Sequence, residues 1–550
     1  MYPTKRPKKS PRKSSPTSPN RPARIPTMTS ADNDPILDLL TCPQTFDDGT
    51  DHVEVRETHI SRVFLTRLFA WKQKKAVAFD FLDFSTLAKR EWACREEVRL
   101  NRRLAPDVYL DCIPITADSR GQLHLGKAGE VVEWLVKMRR LDDRLAMPHL
   151  RAAGLLTQQH LEQLVEKLLA FYGQQPPCGL DGPAYWDALW RHVTGNLQAL
   201  QKMDATDQAT KHQILRVHQA QLWTLAVYRT ELEDRAAGGQ VIEGHGDLRP
   251  EHVYFTPQPT ILDCIEFNRD LRVLDAADEI CFLAMECAVD GDQPTSQRVL
   301  ELFAQAAAES PADWLLDFYL TYRACVRAKV CWLRSQQVAA EHSQQTILLN
   351  RTRTYLDFAI RRSSGLEYPF LIVMRGLSGT GKSTVAESIV EGLGAILLQT
   401  DAIRQQVWSD RTAAADAEPK YSVESRRKVY LAMLDAADRL LADRLSVVLD
   451  GTFLDIGLCR LALETARCQG VPILFVETRC SSAVAQHRIE QRRQTGSTAS
   501  EADAAVHRTQ ASQYVELPRD LPRVVVDTSG RIDQRRLIDT IAAALGRQQA

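Results

Sequence analysis

The stretch GLSGTGKST, residues 376–384, has the composition and spacing of a phosphate cradle. It meets the pattern G-x-x-x-x-G-K-[ST] without a mismatch. Gly376, Gly379 and Gly381 free the backbone to curl, so that successive N–H groups point at one anion; Leu377, Ser378, Thr380 and Thr384 fill the positions between and after them. In such a loop Lys382 reaches the β- and γ-phosphates of a nucleoside triphosphate such as ATP, and the Ser383 hydroxyl ligates Mg2+.

Other residues with suitable chemistry follow at the ends of apolar runs. Asp401 in LLQTDAIRQQV can orient or deprotonate an acceptor hydroxyl, with Arg404 three residues on to hold an anionic group. A helix cap is the alternative for Asp401. Asp450, closing VVLDGT, suits the magnesium shell. Arg488 and Arg492 in QHRIEQRRQTG stand at i and i+4, hence on one helix face. That pair either closes over the transferring phosphate or forms a solvated face.

These residues need a scaffold of alternating strands and helices. From Phe370 the chain reads FLIVMRG, AESIVEGL, AILLQT, a helix from about 422 to 443, LSVVLDGT, a helix, PILFVET, a helix and RVVVDT. The pattern predicts an α/β domain with a parallel sheet over residues 370–550. Turn residues in RRSSGLEYP place a linker at 363–369. Upstream, residues 32–362 open with strand patterns at 59–82, continue through a helical run at 90–104 and a strand at 129–141, and become mainly helical from Thr157. The segment 370–545 resembles the small-molecule P-loop kinases, similar to gluconate kinase and to the kinase half of polynucleotide kinase, on GLSGTGKST, TDAIR, VVLDGTF and the paired arginines.

A second loop, GHGDLRPEHVYF at 244–255, resembles the catalytic loop of the aminoglycoside phosphotransferase family, which shares the protein-kinase architecture. The resemblance implies that Asp247 accepts the proton of an acceptor hydroxyl and that Asp263, in ILDCIEFN, binds metal. It implies Lys72 for the nucleotide phosphates and Glu97 as that lysine's partner, with Lys74, Lys75 and Glu96 as rivals. EWLVKM would form the adenine hinge, and Asp275 and Asp278 in DAADEI would brace the loop. The sequence departs from the family at His252, where an asparagine normally meets the magnesium ion. An imidazole nitrogen suits zinc or copper better than magnesium, so Glu266 is the nearest compensating carboxylate. His245 reads as structural, holding the loop through its ring nitrogens.

Taken with FLDFSTLAKREWACREEVRLNRRLAP and VRAKV, these motifs resemble a bacterial group in which an aminoglycoside-phosphotransferase-like domain is fused to an ATP-binding domain. The expected fold is an α+β protein-kinase-like domain followed by an α/β P-loop NTPase domain. The resemblance implies an ATP-dependent phosphotransferase acting on a hydroxyl of a small molecule. The alternative is a nucleotide-gated binding or regulatory protein with a degenerate first site. Glu286, Asp290 and Asp292 form either an acidic cluster for a polycationic acceptor or a solvated loop.

Bulk properties narrow the partners. The 550 residues carry 69 Lys and Arg against 70 Asp and Glu, a net charge of -1, which gives no general attraction to nucleic acid or a membrane. The longest apolar runs are strand-sized, well short of the roughly 20 residues a membrane helix needs. Twelve scattered cysteines without a C-x-x-C pair point to a reducing cytoplasm, with neither a zinc site nor a disulfide framework. Residues 1–31 are basic and rich in Pro and Ser, without an acidic residue or an apolar core. They read as a disordered tail rather than a secretory signal, with Met28 as another possible start.

Overall fold

Period-two alternation on a single strand sets up the first half of the molecule. The computed structural model describes residues 34–548 apart from 59, 80–81, 204–207, 308–309, 339–342, 410–422 and 496–503, so the basic segment 1–31 lies outside the described residues. Strands β1 (Glu54–Glu57), β2 (Ser61–Leu65), β3 (Phe69–Lys74), β4 (Tyr109–Ala117), β5 (Leu123–Leu125) and β6 (Glu130–Arg139) form an antiparallel sheet in the order β1-β2-β3-β6-β4-β5. Along β3, Ala70 packs with Cys94 and Val98 of the helix Leu87–Asn101, while Trp71 turns to the opposite face beside Leu135 and Phe46. Lys72 and Lys74 share the face of Ala70 and therefore meet the helix. Thr86 caps that helix by accepting from the Lys89 N–H, and Glu97 is buried on it with Cys94, Val98 and Asn101.

The middle of the chain is helical. Helices Gln158–Gly173, Gly182–Leu200, Gln208–Val227, Ala276–Val289, Asp313–Ser335 and Ser343–Ser363 enclose a core that includes Leu164, Leu168, Ile280, Phe318, Tyr319 and Tyr355. Two small antiparallel ladders interrupt them. One pairs β7 (Val241–Glu243) with β10 (Val273–Asp275), and the other pairs β8 (Val253–Phe255) with β9 (Pro259–Ile261).

The second half has a parallel sheet. Strands β11 (Leu371–Arg375), β12 (Ile396–Gln399), β13 (Val447–Asp450), β14 (Ile473–Arg479) and β15 (Arg523–Asp527) run in the order β12-β13-β11-β14-β15. All five residues of β11 are buried because helices cover both faces. Ile372 and Met374 point to Val385, Ile389 and Ile541, whereas Leu371 and Val373 point to Val429, Met433 and Cys459.

The two halves share part of their core. Trp223 and Ala226 of helix Gln208–Val227 join the cluster around Ile372, and the Trp223 ring stacks on Tyr368 at 4.1 Å. Tyr368 also donates its hydroxyl to the Leu545 carbonyl at 2.9 Å, so the segment 363–369 is packed against its neighbours. Ion pairs Arg216–Glu367 (2.7 Å) and Arg229–Asp539 (3.5 Å) flank this seam. Among the described residues, no helix is long and apolar enough to cross a membrane.

Candidate functional site

The first cleft is organised by one buried carboxylate between two lysines. Lys72 Nζ donates to Glu97 Oε1 at 2.8 Å and to Asp263 Oδ1 at 2.6 Å; Lys74 Nζ donates to Glu97 Oε2 at 2.6 Å and also to Glu266. The rivals go elsewhere: Lys75 pairs with Glu57, and Glu96 pairs with Arg99 and Arg272. Burial alone would raise the pKa of Glu97, but the ammonium groups of Lys72 and Lys74 reverse that and keep it low. Glu266 is committed to Lys74, which corrects the expectation that it would serve a metal.

Asp263 sits at the end of this chain of charges. Its φ of 66° is in the left-handed region, a conformation that costs a non-glycine residue on the order of 1–3 kcal/mol. Neighbours compensate: its N–H donates to the Tyr109 hydroxyl at 3.1 Å, and the Cys264 N–H donates to Asn101 Oδ1 at 2.9 Å. Sheet and helix thus fix the loop that carries the carboxylate. Desolvation works against ionisation of Asp263, yet the Lys72 ammonium holds its pKa well below the usual carboxylate range.

The loop with Asp247 is braced by a residue the sequence reading missed. The Glu279 carboxylate accepts from the N–H groups of both His245 and Gly246 at 2.7 Å. Gly246 adopts φ 85°, and a Cβ there would lie 2.9 Å from the Leu271 carbonyl. Asp275 and Asp278, expected as the braces, instead pair with Arg235 and, bidentately at 2.7 Å, with Arg323. The acidic spacing in DAADEI marked the segment but could not say which carboxylate turns to the loop. His245 donates from Nε2 to the Leu262 carbonyl at 2.7 Å, and burial pushes its pKa down to about 4.

His252 faces both candidate carboxylates. Its Nδ1 donates to the Asp247 carbonyl at 2.8 Å, which leaves Nε2 as the acceptor. Nε2 takes a hydrogen bond from Arg249 at 3.0 Å and lies 3.7 Å from Asp263 Oδ2. Asp263 offers magnesium a hard oxygen; His252 offers a nitrogen that fits it poorly. Among the described residues, no three His, Cys, Asp or Glu side chains are grouped to hold a metal ion.

The second site lies where β11 turns into helix Lys382–Leu393. Gly379 has φ 83°, and a Cβ on it would come within 2.6 Å of the Ala485 carbonyl on helix Ser482–Thr495. Lys382 Nζ donates to the Leu377 carbonyl at 2.8 Å, so the lysine folds back along the loop. Desolvation pushes its pKa down to about 8; Asp450 opposes this and Arg492 adds to it. Asp450 is buried at the end of β13, and Ser383 is half-buried in the first turn of the helix. Their oxygen donors beside a desolvated ammonium fit a magnesium–triphosphate group.

Arg488, Gln510 and His507 reach the loop. Arg488 donates to the Thr528 carbonyl at 2.6 Å, and one of its terminal nitrogens lies 3.4 Å from where a Cβ on Gly381 would sit; it is therefore not a solvated face residue. Asp401, in the first turn of helix Thr400–Ser409, forms an ion pair with Arg404. Helix Ala504–Ser512 contributes two contacts that no motif spacing signals. Gln510 Oε1 accepts from the Ser378 N–H at 2.8 Å, and His507 Nδ1 donates to the Ser378 carbonyl at 2.7 Å.

The acidic trio divides: Glu286 lies buried in its helix, whereas Asp290 and Asp292 stand in the turn that follows, with Asp290 exposed. Glu286 is buried and pairs with Arg327 at 2.6 Å, Asp290 pairs with Arg351, and Asp292 caps the helix Gln293–Ala306.

Comparison with known proteins gives this geometry a family. A family model described as an AAA domain matches residues 371–517. Uncharacterized proteins of Mycobacterium tuberculosis and Mycobacterium bovis are 32% identical over 448 residues, 78% of this chain and 84% of theirs. Among solved structures, an aminoglycoside-phosphotransferase-like protein from Ralstonia eutropha aligns with 58% of this chain and 95% of its own at 13% identity and a TM-score of 0.36. A gluconokinase from Sinorhizobium meliloti aligns with 33% of this chain and 94% of its own, at 22% identity and a TM-score of 0.24. The chain belongs to the family of these mycobacterial proteins, and its residues 371–517 match the AAA domain model.

Proposed function

We propose that the chain is an ATP-dependent phosphotransferase that moves a γ-phosphoryl group to a hydroxyl of a small molecule, with the P-loop site as its principal engine. A division of the chain at residues 363–369 belongs to the same reading. The observation that carries it is the geometry of the loop: Gly379 and Gly381 turn at φ 83° and 82° ahead of helix Lys382–Leu393, and Lys382 Nζ folds back to the Leu377 carbonyl at 2.8 Å. As the acceptor oxygen bonds to the γ-phosphorus, the bond to the β–γ bridging oxygen breaks and the acceptor proton passes to Asp401. Lys382, Arg488 and Arg492 neutralise charge on the transferring group. A magnesium ion held by Ser383 and Asp450 would supply further neutralisation and orient the phosphates.

The first cleft supports a second site of the same chemistry, with Asp247 as base, Lys72 on the phosphates and Asp263 and His252 toward the metal. A nucleotide-gated binding protein is the second reading, favoured by the commitment of Asp247 to Arg249 and by His252 beside Asp263. The test is transfer of label from γ-labelled ATP into a metabolite pool by the unmodified protein, Asp247→Asn and Lys382→Ala. Loss of product only with Lys382→Ala assigns transfer to the P-loop. A product lost only with Asp247→Asn assigns it to the first cleft. ATP hydrolysis that no acceptor stimulates would favour the nucleotide-gated protein.

A further inference from the structure

Asp247 is bordered by guanidinium groups held in place before any ligand arrives. Its Oδ2 accepts from Arg249 Nε at 3.0 Å. Desolvation would raise the Asp247 pKa, but Arg249, His252 and Arg327 together keep it low, which puts the Arg327 charge within electrostatic reach of the carboxylate. Arg249 and Arg327 also repel one another.

The arginines are positioned by a shared support. The buried ring of Tyr355 lies under Arg327 at 5.5 Å and under Arg351 at 4.9 Å, and its hydroxyl donates to Glu286 Oε2 at 2.8 Å. Arg327 Nε lies 2.6 Å from Glu286 Oε1 as an ion pair, so this buried carboxylate serves both the arginine and the tyrosine. Glu251 at the rim is paired with Arg249. The carboxylates here are thus spent on arginines, which is the reverse of what a polycationic acceptor needs. Arg351 is paired with Asp290 and lies 3.7 Å from Glu286, whereas Arg327 pairs with Glu286 and keeps 15% of its side chain exposed. Planar guanidiniums in this arrangement suit phosphate or carboxylate oxygens.

We propose that the site beside Asp247 takes an alcohol bearing a phosphate or carboxylate group, gripped by Arg249 and Arg327. This rests on the phosphotransferase reading of the first cleft. The bound anion draws Arg249 away from Asp247, which frees the carboxylate to accept the hydroxyl proton. The acceptor oxygen then bonds to the γ-phosphorus of the nucleoside triphosphate, the bond to the β–γ bridging oxygen breaks, and the diphosphate leaves with that electron pair.

The experiment uses full-length Lys382→Ala protein, γ-labelled ATP and a metabolite extract separated by charge. Label should enter the fraction retained on an anion exchanger. Loss of that acceptor after alkaline phosphatase treatment identifies a phosphate, and its survival identifies a carboxylate. Arg327→Gln should lower kcat/KM for the anionic acceptor by about tenfold or more, with Arg327→Lys recovering part of it and the KM for ATP unchanged in both. Label confined to neutral or cationic compounds overturns the proposal. If no fraction is labelled, the phosphotransferase reading of this cleft falls, and the anion site is decided separately by phenylglyoxal modification read by peptide mass spectrometry. Protection of Arg249 and Arg327 by inorganic phosphate or citrate supports the site. Protection by spermidine alone, or none at all, overturns it.

Discussion

Gln219 and Ser446 join the two halves of the molecule across 227 residues of chain: the Ser446 N–H donates to Gln219 Oε1 at 2.8 Å. The same amide donates from Nε2 to the Gly394 carbonyl at 3.0 Å, just past the helix that begins with Lys382. A helix from the first half therefore supplies hydrogen-bond partners that the P-loop half lacks on its own. Gln219→Ala leaves a buried N–H and a carbonyl unpaired and should cost about 1–3 kcal/mol. Scanning calorimetry should show a lower Tm, and an unchanged Tm would refute this account of the seam.

Glu97 holds two lysines, so its removal should be felt beyond one lost contact. Glu97→Gln leaves Lys72 and Lys74 with Asp263 and Glu266 alone, and breaking a buried ionic cluster in this way costs about 3–5 kcal/mol. Urea unfolding is the measurement. A change below 1 kcal/mol, roughly that of an exposed pair, would mean that the cluster is not load-sharing.

Burial lowers the pKa of His218 to about 3 in the folded protein, against an ordinary value near 6.5. The unfolded chain therefore binds a proton that the folded chain refuses between those two values. Stability is complete above pH 6.5 and falls as pH drops toward 3, by up to about 1.4 kcal/mol per unit. His218→Gln should flatten this part of the stability curve, as read from urea midpoints at a series of pH values. An unaltered slope would exclude His218 as a contributor.

Gly379→Ala puts a Cβ against the Ala485 carbonyl in a backbone conformation that alanine rarely adopts. The loop or helix Ser482–Thr495 must shift, at a cost on the order of 1–3 kcal/mol. ATP affinity by equilibrium dialysis should fall roughly tenfold or more, while Ser388→Ala, on the exposed side of the neighbouring helix, should bind normally. Equal affinities in the two variants would show that the loop tolerates the added methyl.

The phosphate loop, the alternating elements of the second half and the order of the kinase-like motifs are legible in the sequence because each depends on contiguous spacing. Nine residues suffice to specify the loop, since its glycines, lysine and hydroxyl are contiguous in the chain. The partners of those motifs depend on separations that spacing cannot resolve. Lys72 reaches Glu97 over 25 residues and Asp263 over 191, and the choice between Glu96 and Glu97 follows from which helix face the sheet buries. Glu279 was hidden for the same reason: three carboxylates lie within five residues, and only the packing of their helix against the loop decides which one meets the His245 and Gly246 N–H groups. The guanidiniums that act on Asp247 come from its own loop and from the distant helix Asp313–Ser335, so tertiary packing alone brings their charges together.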